Sequence, residues 1–147
     1  MKYKLIHDGP QKTYAVVFDP GDEVVSGLVG FAEHHGLSAS QLTGLGAFSD
    51  VVLGFFDLET KDYERIPIDE QVEVVSFVGD IALKDGKPKL HPHVVVAKRD
   101  GSAWGGHLLE AHVQPTLEVI IIESPAHLRR QTDEATGLPL IEIDVPA

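Results

Sequence analysis

The sequence contains no cysteine. That alone excludes a disulfide frame and a thiolate metal site. Long apolar runs are missing as well. Nothing approaches the roughly eighteen residues that a membrane helix needs, and the opening MKYKLIHDGPQ lacks the apolar centre of a secretory signal. The expectation is a cytoplasmic protein with no membrane partner. Cations are the third scarcity: 12 basic residues face 23 acidic ones, for a formal net charge of −11. Nucleic-acid binding draws most of its affinity from cations meeting phosphates, and an acidic surface repels the same polyanion at long range. The basic residues are also dispersed. Lys84, Lys87 and Lys89 fall near one turn, Lys98 and Arg99 near another, and Arg129 and Arg130 form a pair. None is a basic tract of the kind that marks a nucleic-acid patch, and all three groups read as solvated loop surface. No residue is assigned to nucleic acid.

What is present is an ordinary globular composition, 43% apolar and 24% charged over 147 residues, which suits one domain with one core. The punctuation predicts a strand-rich domain with one main helix. Tyr3 to His7 and Thr13 to Asp19 read as strands around Asp8-Gly9-Pro10. Val24, Val25, Leu28, Phe31 and Ala32 then recur at helical spacing. Asp22 and Glu23 suit the positive end of that helix and Gly36 its stop, while Gly27 and Gly30 either weaken it or mark close packing.

Strands resume at Gln41 to Phe48, Val51 to Asp57, Tyr63 to Ile68 and Val72 to Leu83. Asp85-Gly86 and Asp100-Gly101, each between apolar runs, predict hairpins that lead into Leu90 to Lys98 and Trp104 to Val113. Val119-Ile120-Ile121-Ile122, within Leu117 to Glu123, suits a strand buried on both faces or at a subunit contact. The tail, 125–147, is polar and irregular, with a last strand at Leu140 to Ile143. The reading is therefore a single α+β domain over 1–147, mostly antiparallel sheet or half-barrel, with one main α-helix.

The chemistry concentrates in LHPHVVVAKRDGSAWGGHLLEAHV, Leu90 to Val113, which holds four of the eight histidines. A strand projects residues i and i+2 to one face about 6.5 Å apart, so His91 and His93 point together and Pro92 points away. Proline cannot donate to a ladder, so this point is expected at an edge or a strand beginning. His93 and His107 lie symmetrically about Asp100, and a pairing centred there puts them directly across from each other. A strict two-residue Asp100-Gly101 turn would instead pair Val94 with His107, one register step off. The arrangement therefore requires an odd-length loop or a bulge, and Gly105-Gly106 is the natural place for a bulge.

Three imidazoles suit a divalent transition metal. Zinc is the leading expectation, since three protein ligands and one open position is its catalytic pattern, but imidazole alone does not fix the element. The open position would polarise a substrate oxygen or acidify a water. Glu73 and Glu110 are the carboxylates near enough in sequence to serve the centre. Glu110 has the wrong strand parity relative to His107, which leaves Glu73 as the candidate proton carrier. His112, five residues past His107, faces the other way, so it, His7 and His127 read as surface or supporting residues. His34 and His35 are expected at the helix C-terminal carbonyls, and Trp104 at a packing or rim position.

Two familiar motifs fail. GLGAFS, Gly44 to Ser49, lacks the third glycine of a dinucleotide fingerprint and runs on into a strand. HLLEAH matches neither order of the zinc-protease helix motif.

The blocks GLGAFSDVVLGFFD, EVVSFVGDIALKDGKPKLHPHVVV and GGHLLEAHVQPTLEVIIIE together resemble the plant and prokaryote conserved (PPC) domain family, in the family's order and over roughly Tyr3 to Ile143. The resemblance implies an α+β domain with an antiparallel sheet and a helix, assembled as a homotrimer. It also implies a zinc site at His91, His93 and His107, the positions matching the prokaryotic His-x-His and Gly-Gly-His set. Plant members are known as DNA-binding proteins, a label that prokaryotic members often inherit. Plant members carry a separate AT-hook built on Arg-Gly-Arg-Pro and lack the histidine set, whereas this chain has the histidines and no such hook. The fold is also similar to that of acetolactate decarboxylase, which holds a metal through three histidines and needs an arginine and a glutamate beside it. No arginine here is matched to that one.

Two functional expectations follow. One is a metal-binding protein whose three-histidine site serves a small molecule, in the manner of a metal-dependent lyase or hydrolase, with the reaction open. The alternative is a DNA-binding or transcription-regulatory module in which the metal is structural. Fold alone does not choose between them.

Overall fold

The computed structural model describes residues 1–143. Its elements run β1 (Lys2–His7), β2 (Lys12–Phe18), α1 (Val24–His35), β3 (Ala39–Asp57), β4 (Asp62–Ile68), β5 (Val72–Lys84), β6 (Lys87–Ala97), β7 (Ala103–Glu123), β8 (Arg129–Thr132) and β9 (Pro139–Glu142). The single-domain α+β expectation matches this arrangement: one helix and a mostly antiparallel sheet. The helix is too short and insufficiently apolar to cross a membrane.

The backbone of the sheet is the order β1-β2-β7-β3-β5-β8-β9, with β4 on β3 and β6 paired to both β5 and β7. The pairings β3–β5–β6–β7 and back to β3 make a partial ring rather than a closed barrel. Two expected pairs of strands are each one long strand. Gln41–Phe48 and Val51–Asp57 are continuous in β3, and Trp104–Val113 and Leu117–Glu123 are continuous in β7. Ser49 and Asp50 read as a break in the sequence. They stay in the ladder because register shifts between Gly46 and Phe48, and again between Phe48 and Asp50, let the paired strands bend together.

Each strand of the ring buries one face. Leu90, Pro92, Val94 and Val96 of β6 turn inward with Phe77 and Ile81 of β5 and Leu108, Ala111 and Val113 of β7. The helix fills this side with Val24, Leu28, Phe31 and Ala32. Glu23 starts it, its carboxylate accepting from the backbone N–H of Val25 (3.0 Å) and Ser26 (2.7 Å). Gly36 stops it in the left-handed region at φ 63°. The two helix glycines have different roles. A Cβ at Gly27 would strike the Phe18 ring, so close packing explains that one, whereas nothing lies within 4 Å of a Cβ at Gly30.

The Val119–Ile122 segment departs from the two-faced burial expected of it. Val119 and Ile121 are inside, but Ile120 is 38% exposed. The polar tail also has more order than expected. β8 and β9 form a hairpin around the Asp133–Gly137 turn, joined to the body by one parallel rung between Leu83 and Arg129. The last strand begins at Pro139 rather than Leu140.

A contrast of two glycine substitutions tests this packing. A Cβ at Gly106 would lie 2.8 Å from the carbonyl oxygen of Gly54, where β7 passes close to β3. Gly106→Ala is expected to lower stability by about 1–3 kcal/mol through forced strand separation. Gly30→Ala, in open space on the helix, is expected to raise it by about 0.4–1 kcal/mol. Urea midpoints of the two variants against the parent measure both.

Candidate metal centre

The site is built on the face of β6 turned away from the core. Lys89, His91 and His93 follow one another there at every second residue, and Pro92 points inward between the two imidazoles. Pro92 sits in the β5–β6 ladder opposite Gly79, and β6–β7 pairing stops one residue later at His93. The proline thus marks the point where one side of β6 becomes free, not the beginning of the strand.

His107 arrives from β7. It pairs directly with His93, and Ala97 pairs with Ala103, so residues 98–102 form an odd-length loop. Lys98 donates its N–H to Ser102 O (2.9 Å), and Asp100 Oδ1 accepts from Ser102 N (2.9 Å) and Oγ (2.6 Å). Of the two devices that could set this register, the loop is the one used. The ladder passes through Gly105 and Gly106 without a bulge toward β6. Those glycines instead admit the close approach of β6 and β3.

One ligand nitrogen from each of His91, His93 and His107 lies within 4.8 Å of the others, and His91 Nε2 and His93 Nε2 are 3.2 Å apart. Donors about 2.05 Å from a tetrahedral zinc ion stand about 3.3 Å from one another. The residues therefore fit the group. A second observation agrees: His107 Nδ1 is buried without a hydrogen-bond partner among the described residues. Burial, and then the neighbouring His91 and His93, push the His107 pKa down to about 4. Burial followed by His91 lowers that of His93. Neutral imidazoles keep a lone pair free, as metal ligation requires.

An outer layer orients the rings. Asp80 of β5 pairs with His91, and its Oδ2 is 3.6 Å from His91 Nδ1, which leaves Nε2 toward the other imidazoles. Arg130 of β8 donates to Asp80 Oδ1, and its Nη1 donates to Pro139 O (2.8 Å). Burial works against ionisation of Asp80, but the adjacent His91 imidazole and the hydrogen-bonded Arg130 guanidinium outweigh it and hold the carboxyl below its ordinary range. Tyr63 lies over His107 with ring centroids 4.8 Å apart. It can do so because β3 has Gly54 beneath it, where a Cβ would come within 2.8 Å of the Tyr63 ring.

The remaining sequence candidates fall elsewhere. Glu73 is exposed at the far end of β5, seven residues from Asp80 and so about 23 Å along the strand. The fold of this chain does not bring it to the imidazoles, because β5 runs lengthwise past β6. Glu110 pairs with Arg65 at 3.3 Å. His112 bonds Asp50 (2.7 Å), His127 bonds Ser38 Oγ (2.7 Å), and His7 is exposed on β1. His35 packs among Tyr3, Tyr14 and Phe31 rather than on helix carbonyls, and burial lowers its pKa. Trp104 lies on the rim under the Lys98 ammonium, 5.3 Å from its ring centroid. Arg130 corrects the surface reading of the Arg129-Arg130 pair: its side chain is 4% exposed.

Asp80, Arg130 and Tyr63 went unread in the sequence. Asp80 was accessible from it. Asp85 (φ 52°) and Gly86 (φ 76°) form a two-residue turn of the mirror-image type, and such a turn fixes every pair down the hairpin, including Asp80 with His91. Arg130 left no such trace, since β8 reaches β5 by a single parallel rung.

The fold and site thus describe a small α+β domain with a metal-competent trio of histidines on its outer sheet face. The chain matches the Plants and Prokaryotes Conserved (PCC) domain over residues 7–125 and belongs to that family. A solved protein from Archaeoglobus fulgidus, described as metal-containing, is 31% identical with a TM-score of 0.82, over 97% of both chains. Another from Bacteroides thetaiotaomicron, whose name proposes DNA binding, is 26% identical with a TM-score of 0.86, over 95% of this chain and 96% of that one. The bifunctional protein GlmU of Synechococcus sp. (strain JA-3-3Ab) is 30% identical over 139 residues. Those residues are 92% of this chain but 21% of the relative, so the chain spans about a fifth of the length of the curated relatives it matches. A Staphylococcus aureus protein similar to α-acetolactate decarboxylase shares the fold at 14% identity, with a TM-score of 0.55 over 73% of this chain and 50% of its own.

The depressed His107 pKa has a consequence for the metal-free protein. The folded group titrates near 4 and the unfolded one near its ordinary 6.5. As pH falls, the unfolded state takes up the proton first. The stability this group contributes is full above about pH 6.5 and is lost as pH falls toward 4. His107→Gln is expected to flatten that part of the stability profile, measured by urea unfolding after chelation. An NMR midpoint for His107 above pH 6 would contradict the assignment.

Proposed function

We propose that His91, His93 and His107 hold one divalent transition metal, with zinc the leading identity, and that the centre serves a small molecule. The observation that carries this reading is the 3.2 Å separation of two imidazole nitrogens beside a third, half-buried ring whose Nδ1 has no hydrogen-bond partner among the described residues. When bound, the metal supplies Lewis acidity toward an oxygen of the ligand. The chain's own groups do the rest. Asp80 fixes the His91 ring with Nε2 inward, Arg130 braces Asp80, and Tyr63 and the β8–β9 hairpin shield His107 from water. Three nitrogen ligands leave a coordination position free, which is the pattern of centres that act on ligands. The description of the A. fulgidus relative as metal-containing supports the metal.

The B. thetaiotaomicron relative's name favours a second reading, a DNA-binding module with a structural metal. The net charge of −11 opposes it, since nothing in this chain supplies the cation surplus that phosphate contacts demand.

We propose a homotrimer as the working assembly. Leu45, Val75, Val78 and Ile120 are exposed and line one shallow depression on the outer face, and Val78 and Val95 continue it to His93. Sedimentation is expected to give three chains for the parent and fewer for Ile120→Glu. A parent that sediments as one chain removes the assembly.

Elemental analysis of protein purified without added metal tests the centre. About one metal per chain is expected, with loss in His91→Ala/His93→Ala while the circular dichroism stays that of the parent. Equal emptiness of both proteins after metal-replete growth overturns the reading. DNA binding that falls about a thousandfold or more between roughly 50 and 200 mM salt would move the choice to the second reading.

A further inference from the structure

Beside the histidine trio lies a cavity of about 140 Å³, lined by Tyr63, Lys89, Leu90, His91, His107, Arg130, Leu138, Pro139 and Leu140. Its two walls differ in chemistry. One is strand β6 with its row of Lys89 and His91, beside which His107 of β7 also lines the cavity. The other is the β8–β9 hairpin, which contributes Arg130 and the apolar run Leu138, Pro139 and Leu140. In a chain with almost twice as many acidic as basic residues, this wall is an exception. Arg130 is nine-tenths buried, and its Nε has no partner among the described residues although both Nη atoms are engaged.

We propose that this cavity is a subsite for a small carboxylate with a short branched alkyl body, held with its charge toward Lys89 and Arg130 and its alkyl end against Leu138, Pro139 and Leu140. The inference deepens the metal reading above and rests on it for the position of the reacting end. The recognition residues themselves belong to the chain.

Size, charge and polarity each narrow the ligand. Pockets for drug-sized molecules run to about 300–1,000 Å³, so this one takes a small molecule. The Asp80 carboxylate already neutralises one Arg130 nitrogen, which leaves Lys89 as the cation of the wall without an acidic partner among the described residues, and a single anionic group balances it. The apolar wall gives no partner to a second charge or a sugar-like set of hydroxyls, since burying unpaired polar groups there is costly. It does suit a few methyl groups. Arg130, Leu138, Pro139 and Leu140 all lie beyond the 7–125 stretch that matches the family. The selectivity is assigned to the β8–β9 hairpin, which supplies all four of them.

Titration calorimetry with isovalerate tests the proposal on the intact, zinc-loaded chain, with isovaleramide as the neutral isostere and acetate as the anion without an alkyl body. Isovalerate is expected to bind about tenfold or more tightly than either, the amide losing a charge-assisted hydrogen bond. Lys89→Met, at an exposed position where folding is not at stake, is expected to keep its metal and lose about tenfold in isovalerate affinity. Leu138→Asp is expected to remove the preference for isovalerate over acetate. Equal binding of acid and amide, no effect of Lys89→Met, or no isovalerate binding at tens of millimolar overturns the subsite. If the parent holds no metal, the metal reading fails separately. The same titration on the metal-free chain then decides the subsite, which stands if Lys89→Met weakens binding and falls if it does not.

Discussion

The register of β6 against β7 is the constraint on which the site depends. A strand alternates its side chains, so a slip of one residue would put His107 on the core face and a glycine or leucine in its place outside. The loop at 98–102 prevents this by holding an odd number of residues, closed by the Asp100 carboxylate on Ser102 and by the backbone bonds between Lys98 and Ser102. With that loop set, His93 meets His107, and the alternation of β6 brings His91 to the same face. The second hairpin sets the partner layer in the same way. The Asp85-Gly86 turn fixes β5 against β6, and Asp80 falls opposite His91. Two turns in sequence, one even and one odd, therefore place four of the centre's side chains.

Electrostatics then determines what those side chains can do. Burial penalises charge on His93 and His107 and the neighbouring imidazoles would repel it further, so both pKa values are held below the ordinary histidine value. The charge around them is sorted. Asp80 and Arg130 compensate each other in a half-buried pair behind His91, whereas Lys89 stands on the open side without a counter-ion in the cavity wall. A net acidic surface opposes a polyanion at long range, whereas a local positive pocket favours an anion small enough to enter it.

How much of this the sequence disclosed follows from how local each determinant is. The histidine face, the turn positions and the helix are legible because periods of two and 3.6 and paired Asp-Gly turns are short-range signals. The continuity of β3 and β7 is not, because Ser49-Asp50 has the composition of a break and is kept in the ladder by partners more than sixty residues away, at His112. Glu73 misled for a related reason: being on the neighbouring strand is not being beside the site, and the β5–β6 register places Asp80 there instead. Arg130 was hidden most completely. Its pairing with Asp80 spans fifty residues and depends on one rung of parallel ladder, which leaves no periodic mark.

The two sheet faces divide the work of holding the domain together from that of presenting the site. The core face carries the helix, Phe77, Ile81, Leu108 and their neighbours, and it holds the ring together without any contribution from the histidines. The outer face has no such packing duty at His91, His93 and His107, so those positions are free to serve chemistry. The β8–β9 hairpin touches the body chiefly through Arg130, Lys84 to Thr132 and the Leu83 rung. It lies outside the stretch matched to the family model, and it forms one wall of the cavity beside the trio that is lined by both cations and leucines. Frame and wall are thus built by separate segments: β6 and β7 place the imidazole nitrogens, and the β8–β9 hairpin shapes the cavity beside them.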